Sequence, residues 1–166
     1  PAAKNFPILT ENEDRKITIA TTRPETMIGD TAIAVHPDDE RFKNLVGKFA
    51  ILPIVKRRLP IVADDYAKMD QGSGAVKITP AHDFNDYELG QRHNLDVINI
   101  FDECARLNDN CPTKYVGLDR YEARNIIIDD LKEVGALNKI EENVHTVPYG
   151  DRSGEVIEPL LTDQWF

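Results

Sequence analysis

Two short runs of this chain crowd hydroxyls, cations and carboxylates together: Thr21-Thr22-Arg23-Pro24-Glu25-Thr26 and Gly72-Ser73-Gly74-Ala75-Val76-Lys77-Ile78-Thr79-Pro80-Ala81-His82-Asp83-Phe84-Asn85-Asp86-Tyr87. Groups of these types suit a small polar substrate gripped from several sides. In the first run, Thr21, Thr22, Arg23 and Thr26 follow an apolar stretch and precede Gly29-Asp30, which gathers their side chains at one mouth of a sheet. Branching at Cβ stiffens the threonines, and Pro24 restrains the backbone between them. A structural role competes: strand-end threonines also fit a pleated surface, with Arg23 paired to an acid.

In the second run, Lys77 and Thr79 lie two apart on an expected strand, which puts a cation and a hydroxyl on one wall and turns Val76 and Ile78 the other way. Gly72 and Gly74 flank Ser73 and allow a ligand close to bare N–H groups, or else form an ordinary turn. Asp83 and Asp86, three apart beyond Pro80, share one side of a helix's first turn, where N-terminal capping of one of them is the lesser reading beside substrate binding. His82 with Asp83, Asp86 and His93 or His36 raises a metal site. No HExxH or cysteine-rich spacing supports it, and the neighbours His82 and Asp83 diverge in direction. A triad through Ser73 or Ser153 lacks a GxSxG elbow, and dinucleotide-binding and P-loop signatures are absent.

The elements that must position these groups are short. Residues 17–20 and 31–35 read as strands flanking the first run, with Gly29-Asp30 as the turn between them. Residues 49–52 and 59–62 form a further pair, whose prolines indicate strand edges or barrel corners, and 74–79 is the strand of the second run. Pro37 and the acids after it begin a short helix with Phe42 and Leu45 on one face and Gly47 as its stop. Residues 85–93 have helical spacing. The clearest helix is 120–134, with Ala123, Ile127, Leu131 and Val134 on one face, Asp119 as cap and Gly135 as closure. Residues 97–101 read as a buried strand, 102–118 as a polar surface excursion, and 144–149 with 155–161 as a closing hairpin. Many short strands with few helices favour a closed or strongly curled β-sheet over a regular βαβ alternation.

At 166 residues the chain fits one domain able to bury a core without disulfides or structural metal. Its 41% hydrophobic and 30% charged residues are those of a globular protein, without an apolar run of membrane-spanning length or a signal-peptide pattern. Cys104 and Cys111 lack CxxC spacing, so a thiol-reducing cytoplasm is the expected setting, although spacing alone leaves a disulfide between them open. The formal charge of −9 argues against a protein that coats nucleic acid through a broad basic face. Only Lys56-Arg57-Arg58 is compactly basic, as a solvated turn or a local phosphate contact. A start at Pro1 and an end at Trp165-Phe166 suggest an excised domain.

The order of TTRPET and GSGAVKITPAHDFNDY, about fifty residues apart, with the closing VPYGDRSGEVIEPLLTDQWF, resembles the editing (CP1) domain of valyl-tRNA synthetase, a class I aminoacyl-tRNA synthetase, over nearly the whole chain. Isoleucyl enzymes are more distant, with a Trp-containing segment in place of RPET, and leucyl enzymes carry RPDT and HDxRD patterns. The KITP and DFND runs favour the valyl member. The resemblance implies a mainly β fold, with a closed β-barrel core decorated by α-helices, as one domain over residues 1–166 inserted in a larger synthetase.

The resemblance also implies a deacylase that hydrolyses the ester of mischarged threonyl-tRNA(Val). The alternatives are a non-catalytic module that binds the acceptor end, or the same domain of an isoleucyl or leucyl relative. Asp86 would hold the α-ammonium or hydroxyl of the misattached amino acid with Asp83 beside it, and Arg23, Thr26, Lys77 and Thr79 would line the pocket. Asp86, Asp83, Lys77 and Thr26 would carry catalysis. The backbone at Gly72, Ser73 and Gly74 would meet the terminal adenosine, while Thr21 and Thr22 would place its ribose or the attacking water. No metal or cofactor is implied for editing. ATP belongs to the parent enzyme's catalytic domain, for which this chain has neither the HIGH nor the KMSKS signature. The expected partners are the 3′ end of mischarged tRNA(Val) and the other domains of the parent synthetase, with no membrane.

Overall fold

Strand β3 (Ala32–Val35) is buried along its whole length, because it is covered on both faces. In the computed structural model, which describes residues 2–10, 16–142 and 146–162, Ile33 and Val35 face the main core. Ala32 and Ala34 face a second cluster with Ile78 and with Leu89 of helix α1 (Phe84–His93). Small residues there let the helix lie close to the sheet, and Gly90 does the same against Pro80, where a Cβ would stand 3.0 Å from the proline ring. Two-sided burial explains why β3 has no polar alternation.

On either side of β3 lie β5 (Arg58–Ala63), parallel to it, and β6 (Ala75–Ile78), antiparallel. Through β5 the sheet continues to β4 (Phe49–Ile51), β1 (Ala2–Thr10) and β2 (Lys16–Thr21), in the order β2-β1-β4-β5-β3-β6. The other edge of β1 is shared by β4 at Leu9 and Thr10 and by β7 (Lys139–Glu142) over Ala2 to Asn5. Pro60 lies where β5 changes partner, from β4 through residues 58–60 to β3 from Ile61 onward, so a missing N–H falls at a corner of the sheet. The sheet curls until Cα atoms of its end strands, β2 and β6, come within 8 Å. Among the described residues no backbone ladder joins them, so the expected closed barrel is here a curled mixed sheet with an open seam.

Several local expectations change. The turn at Gly29-Asp30 is preceded by a buried 3-10 helix, Pro24–Gly29. The short helix after Pro37 is a series of turns with a 3-10 helix at Lys43–Leu45, in which Leu45 is buried and Gly47 turns the chain at φ +80°. Residues 97–101 are not a strand: one isolated bridge joins Phe101 to Leu107, and Val97 is exposed. Side chains replace the ladder, since His82 accepts the Ile100 N–H and the amides of Asn108 and Asn110 donate to the Asn99 carbonyl. The 102–118 segment is no surface excursion. Leu107, Cys111 and Tyr115 enter the main core, and the Tyr115 hydroxyl bonds Asp130 of α2.

Helix α2 (Arg120–Glu133) matches its pattern, with the Asp119 carboxylate accepting from Tyr121 N at 2.8 Å and Gly135 at φ +66°. Ala123, Ile127 and Leu131 are fully buried, whereas Val134 is 58% exposed because the helix ends before it. The closing hairpin keeps one bridge, Tyr149 to Val156, and its expected Val144, like Trp165 and Phe166, lies outside the described residues. Cys104 and Cys111 are free thiols. No described helix is long and apolar enough to cross a membrane.

Leu131→Ala is expected to cost about 2–5 kcal/mol in urea unfolding, and Val134→Ala, on the same expected face, less than about 0.5 kcal/mol. Equal losses would contradict the observed end of α2.

Candidate functional site

The seam between β2 and β6 opens into a cleft of about 540 Å³. Thr21, Thr22, Arg23, Thr26, Gly72, Lys77, Thr79, Asp83 and Asp86 line it, which unites the two runs that stood out in the sequence. Ser73 and Gly74 do not. The Ser73 hydroxyl bonds the Ala75 backbone, and Gly74, at φ +84°, packs under Arg41, so tightly that a Cβ would overlap the guanidinium. Their role is the turn into β6, while Gly72 packs against Ala20 of β2 and borders the cleft.

The register of β6 on β3, with Ile33 opposite Lys77 and Ala32 opposite Ile78, brings Lys77 and Thr79 beside Asp30. Asp30 is fully buried, and its Oδ1 accepts from the Lys77 ammonium at 2.9 Å and from the Thr79 hydroxyl at 2.6 Å. Lys77 also donates to the Thr79 oxygen. Burial pushes the Asp30 pKa up, while Lys77 and Thr79 pull it down, and its Oδ2 has no partner. Val76 and Ile78 pack with the second apolar cluster, as alternation along the strand requires.

Pro80 breaks the strand and α1 follows. Asp83 is its N-cap, with Oδ1 accepting from Asn85 N at 2.9 Å and Asp86 N at 3.1 Å, so the capping role falls on this carboxylate. Asp86 turns inward and its Oδ2 accepts the Thr79 N–H at 2.8 Å. Burial raises its pKa to about 6, against the opposing pull of Lys77 and the Thr79 N–H. The Tyr66 phenol faces it. Burial and the neighbouring Asp86 and Asp83 charges push that phenol's pKa up, so it stays a neutral hydroxyl.

Arg23 proves to be both paired and at the site. Its guanidinium donates to the His82 carbonyl at 3.0 Å and to Glu158, and Glu158 also accepts from Arg120 at 3.1 Å. Glu25, its neighbour along the run, is buried and gripped by Arg124 of α2 at 2.6 Å. Thr21 Oγ1 accepts the Arg23 N–H at 3.1 Å, and Thr26 donates to the Arg23 carbonyl at 2.9 Å. His82 is a strut: its Nε2 accepts from Ile100, its ring meets Phe101 edge-on at 4.8 Å, and burial lowers its pKa to about 4. His93 bonds Asp64 at 2.8 Å, so the histidines weighed as metal ligands are engaged elsewhere. Among the described residues no cluster of three or more His, Cys, Asp or Glu could hold a metal ion.

Asp30, Tyr66, Lys139, Glu141 and Glu158 stand at or beside the site without a sequence signal of their own. Asp30 follows the first run so closely that its Gly-Asp turn masked it. Nothing near Tyr66 marks it, and Lys139 and Glu141 reach the cleft rim from a wholly exposed strand with no apolar alternation.

The folded Asp86 pKa of about 6 lies above its ordinary 3.8, so folding binds its proton. Its contribution to stability is therefore full below about pH 4, falls as pH rises to about 6, and is flat above. Thermal unfolding of the chain compared with Asp86→Asn should show the variant gaining on the order of 3 kcal/mol relative to the parent between pH 4 and 7. A constant difference would contradict the buried environment.

A family model described as leucyl-tRNA synthetase, editing domain, matches residues 40–139. Valine–tRNA ligase of Caulobacter vibrioides is 63% identical over 95% of the chain, that of Francisella tularensis 59% over 93%, and that of Bacillus subtilis 59% over 90%. The chain spans 17% of the length of each of these relatives. The fold is similar to that in the crystal structure of the Agrobacterium radiobacter K84 agnB2 LeuRS-tRNA-LeuAMS ternary complex. The TM-score is 0.69 at 20% identity, over 95% of this chain and 24% of that one. Since the matched model covers most of the chain, and its relatives over nearly all of its length are valine–tRNA ligases, this chain belongs to the editing-domain family of the aminoacyl-tRNA synthetases, on the valyl side of it.

Proposed function

We propose that the cleft hydrolyses the ester of threonine misattached to tRNA(Val). The observation that carries this reading is the polarity of a cleft walled by Lys77, Thr79, Asp86 and Thr26, where an apolar side chain has nothing to satisfy. Valine and threonine are nearly isosteric, and selection by size in an apolar pocket is correspondingly weak, a known property of valyl-tRNA synthetase at about 10²-fold against threonine. A polar site selects the other way. Bound valine would leave buried donors and acceptors unpaired, at about 1–3 kcal/mol for each.

In this reading Asp86, ionised at neutral pH, takes the α-ammonium, and Lys77 with Thr79 takes the threonine hydroxyl. Water adds to the ester carbonyl, the bond to the ribose oxygen breaks, and that oxygen leaves with a proton as free threonine is released. Arg23, the Thr22 hydroxyl and backbone N–H groups at the end of β2 supply donors for the developing oxyanion. His82, neutral and spent on Ile100, is not the base. Positioning of water by the cleft and by the terminal ribose hydroxyl supplies the acceleration, without metal or cofactor. The seam between β2 and β6 is the entrance, and the sheet acts as a barrel closed there by the incoming 3′ end. The parent synthetase's other domains carry the tRNA body, in the cytoplasm.

Asp86→Ala should slow deacylation of threonyl-tRNA(Val) by about 10²-fold or more, with valyl-tRNA(Val) a poor substrate for both proteins and EDTA without effect. Undiminished hydrolysis by the variant would refute the role of Asp86. With a net charge of −9, the chain alone should retain deacylated tRNA only weakly on a filter at physiological salt. Tight, salt-sensitive retention would argue for a binding surface other than this cleft.

A further inference from the structure

Asp30 touches no open part of the cleft, yet it decides which hydrogen-bonding atoms the cleft presents. The Thr79 hydroxyl has one proton and two lone pairs. The proton goes to Asp30 Oδ1, and one lone pair takes a Lys77 N–H. What remains toward the cleft is a single acceptor site. The Lys77 ammonium has three N–H donors, of which one goes to Thr79 and one to Asp30, so a single donor remains. Asp30 Oδ1 accepts from both neighbours, so the reverse arrangement, with the Thr79 proton turned outward, would set that oxygen against the Thr79 lone pairs.

We infer that Asp30 is a positioning residue that sets Thr79 as acceptor and Lys77 as donor, an adjacent pair that a side-chain hydroxyl, able both to donate and to accept, satisfies at once. This deepens the proposed function and rests on it for the identity of the ligand. A methyl satisfies neither partner, a bare carbonyl only Lys77, and an ammonium only Thr79. An asparagine of the same shape could turn its amide toward Thr79 and release the hydroxyl proton to the cleft.

The probes are non-hydrolysable 3′-threonylamino-3′-deoxyadenosine and its valyl counterpart, titrated calorimetrically into the chain. Asp30→Asn should lower the threonyl-over-valyl preference by about tenfold or more through weaker threonyl binding, with valyl binding unchanged. In the Thr79→Val background the same substitution should change the preference no further, because Asp30 acts through Thr79. An unchanged preference, equal weakening of both probes, or a further loss in the double variant would overturn the inference.

A second measurement uses the unaltered chain and stands even where Asp30→Asn does not fold. The Thr79 hydroxyl proton should exchange slowly and produce an H/D isotope shift at the Asp30 carboxyl carbon in NMR. Fast exchange with no such shift overturns the inference. Failure of the unaltered chain to bind either probe overturns the proposed function instead, and the isotope shift then still decides the polarity of the pair.

Discussion

A carboxylate with no access to water, Asp30, shares one oxygen between a lysine and a threonine of the neighbouring strand. Burying that charge is unfavourable unless it is matched inside the protein, and breaking such a match strands a charge in the interior. The pairing therefore ties the start of β3 to the end of β6 in one register. Arg57 reinforces the tie from behind by donating to the Ile28 carbonyl at 2.7 Å and the Asp30 carbonyl at 2.9 Å. The Lys77 charge and the Thr79 hydroxyl meet in this single buried contact, beside the β3–β6 ladder. Asp86, on the other side of Thr79, holds the end of the strand through its backbone N–H.

A second constraint runs around the outside of the cleft. Arg124, Glu25, Arg23, Glu158 and Arg120 alternate in sign and join α2, the first polar run and the closing segment. Glu25 and Glu158 each face two arginines, so the desolvation that raises the Glu158 pKa is opposed by Arg23 and Arg120. Structural and functional explanations of Arg23 are compatible for this reason: its guanidinium is pinned by Glu158 and the His82 carbonyl, and pinning holds it at the cleft wall. His82 serves the same end without charge, bracing the cleft wall against the segment at Ile100.

The sequence was most readable where local rules and tertiary demands agree. Alternation marked β2 and β6, proline-bounded apolar runs marked β4 and β5, periodicity marked α2, and Asp119 and Asp83 capped their helices as short polar side chains before helices do. Legibility failed where distant side chains satisfied the backbone. Residues 97–101 look like a strand but bond to His82, Asn108 and Asn110, and the polar 102–118 segment hides Leu107, Cys111 and Tyr115 at a spacing that matches no regular element. Strand β7 has no buried face to produce alternation, so nothing in its residues announced it.

For the site, residue types and spacing by themselves determined that two polar runs exist, that Lys77 and Thr79 share a wall, and that Asp83 and Asp86 begin a helix, because these follow from strand and helix periods. Only the tertiary structure decided which carboxylate caps and which turns inward onto the Thr79 N–H, that Ser73 and Gly74 belong to a turn, and that Asp30 meets Lys77 and Thr79. Those outcomes depend on the pairing of β3 with β6 and on the curl that sets β2 against β6. Contacts between residues 47 and 49 positions apart are created by sheet register and burial, which no local pattern encodes.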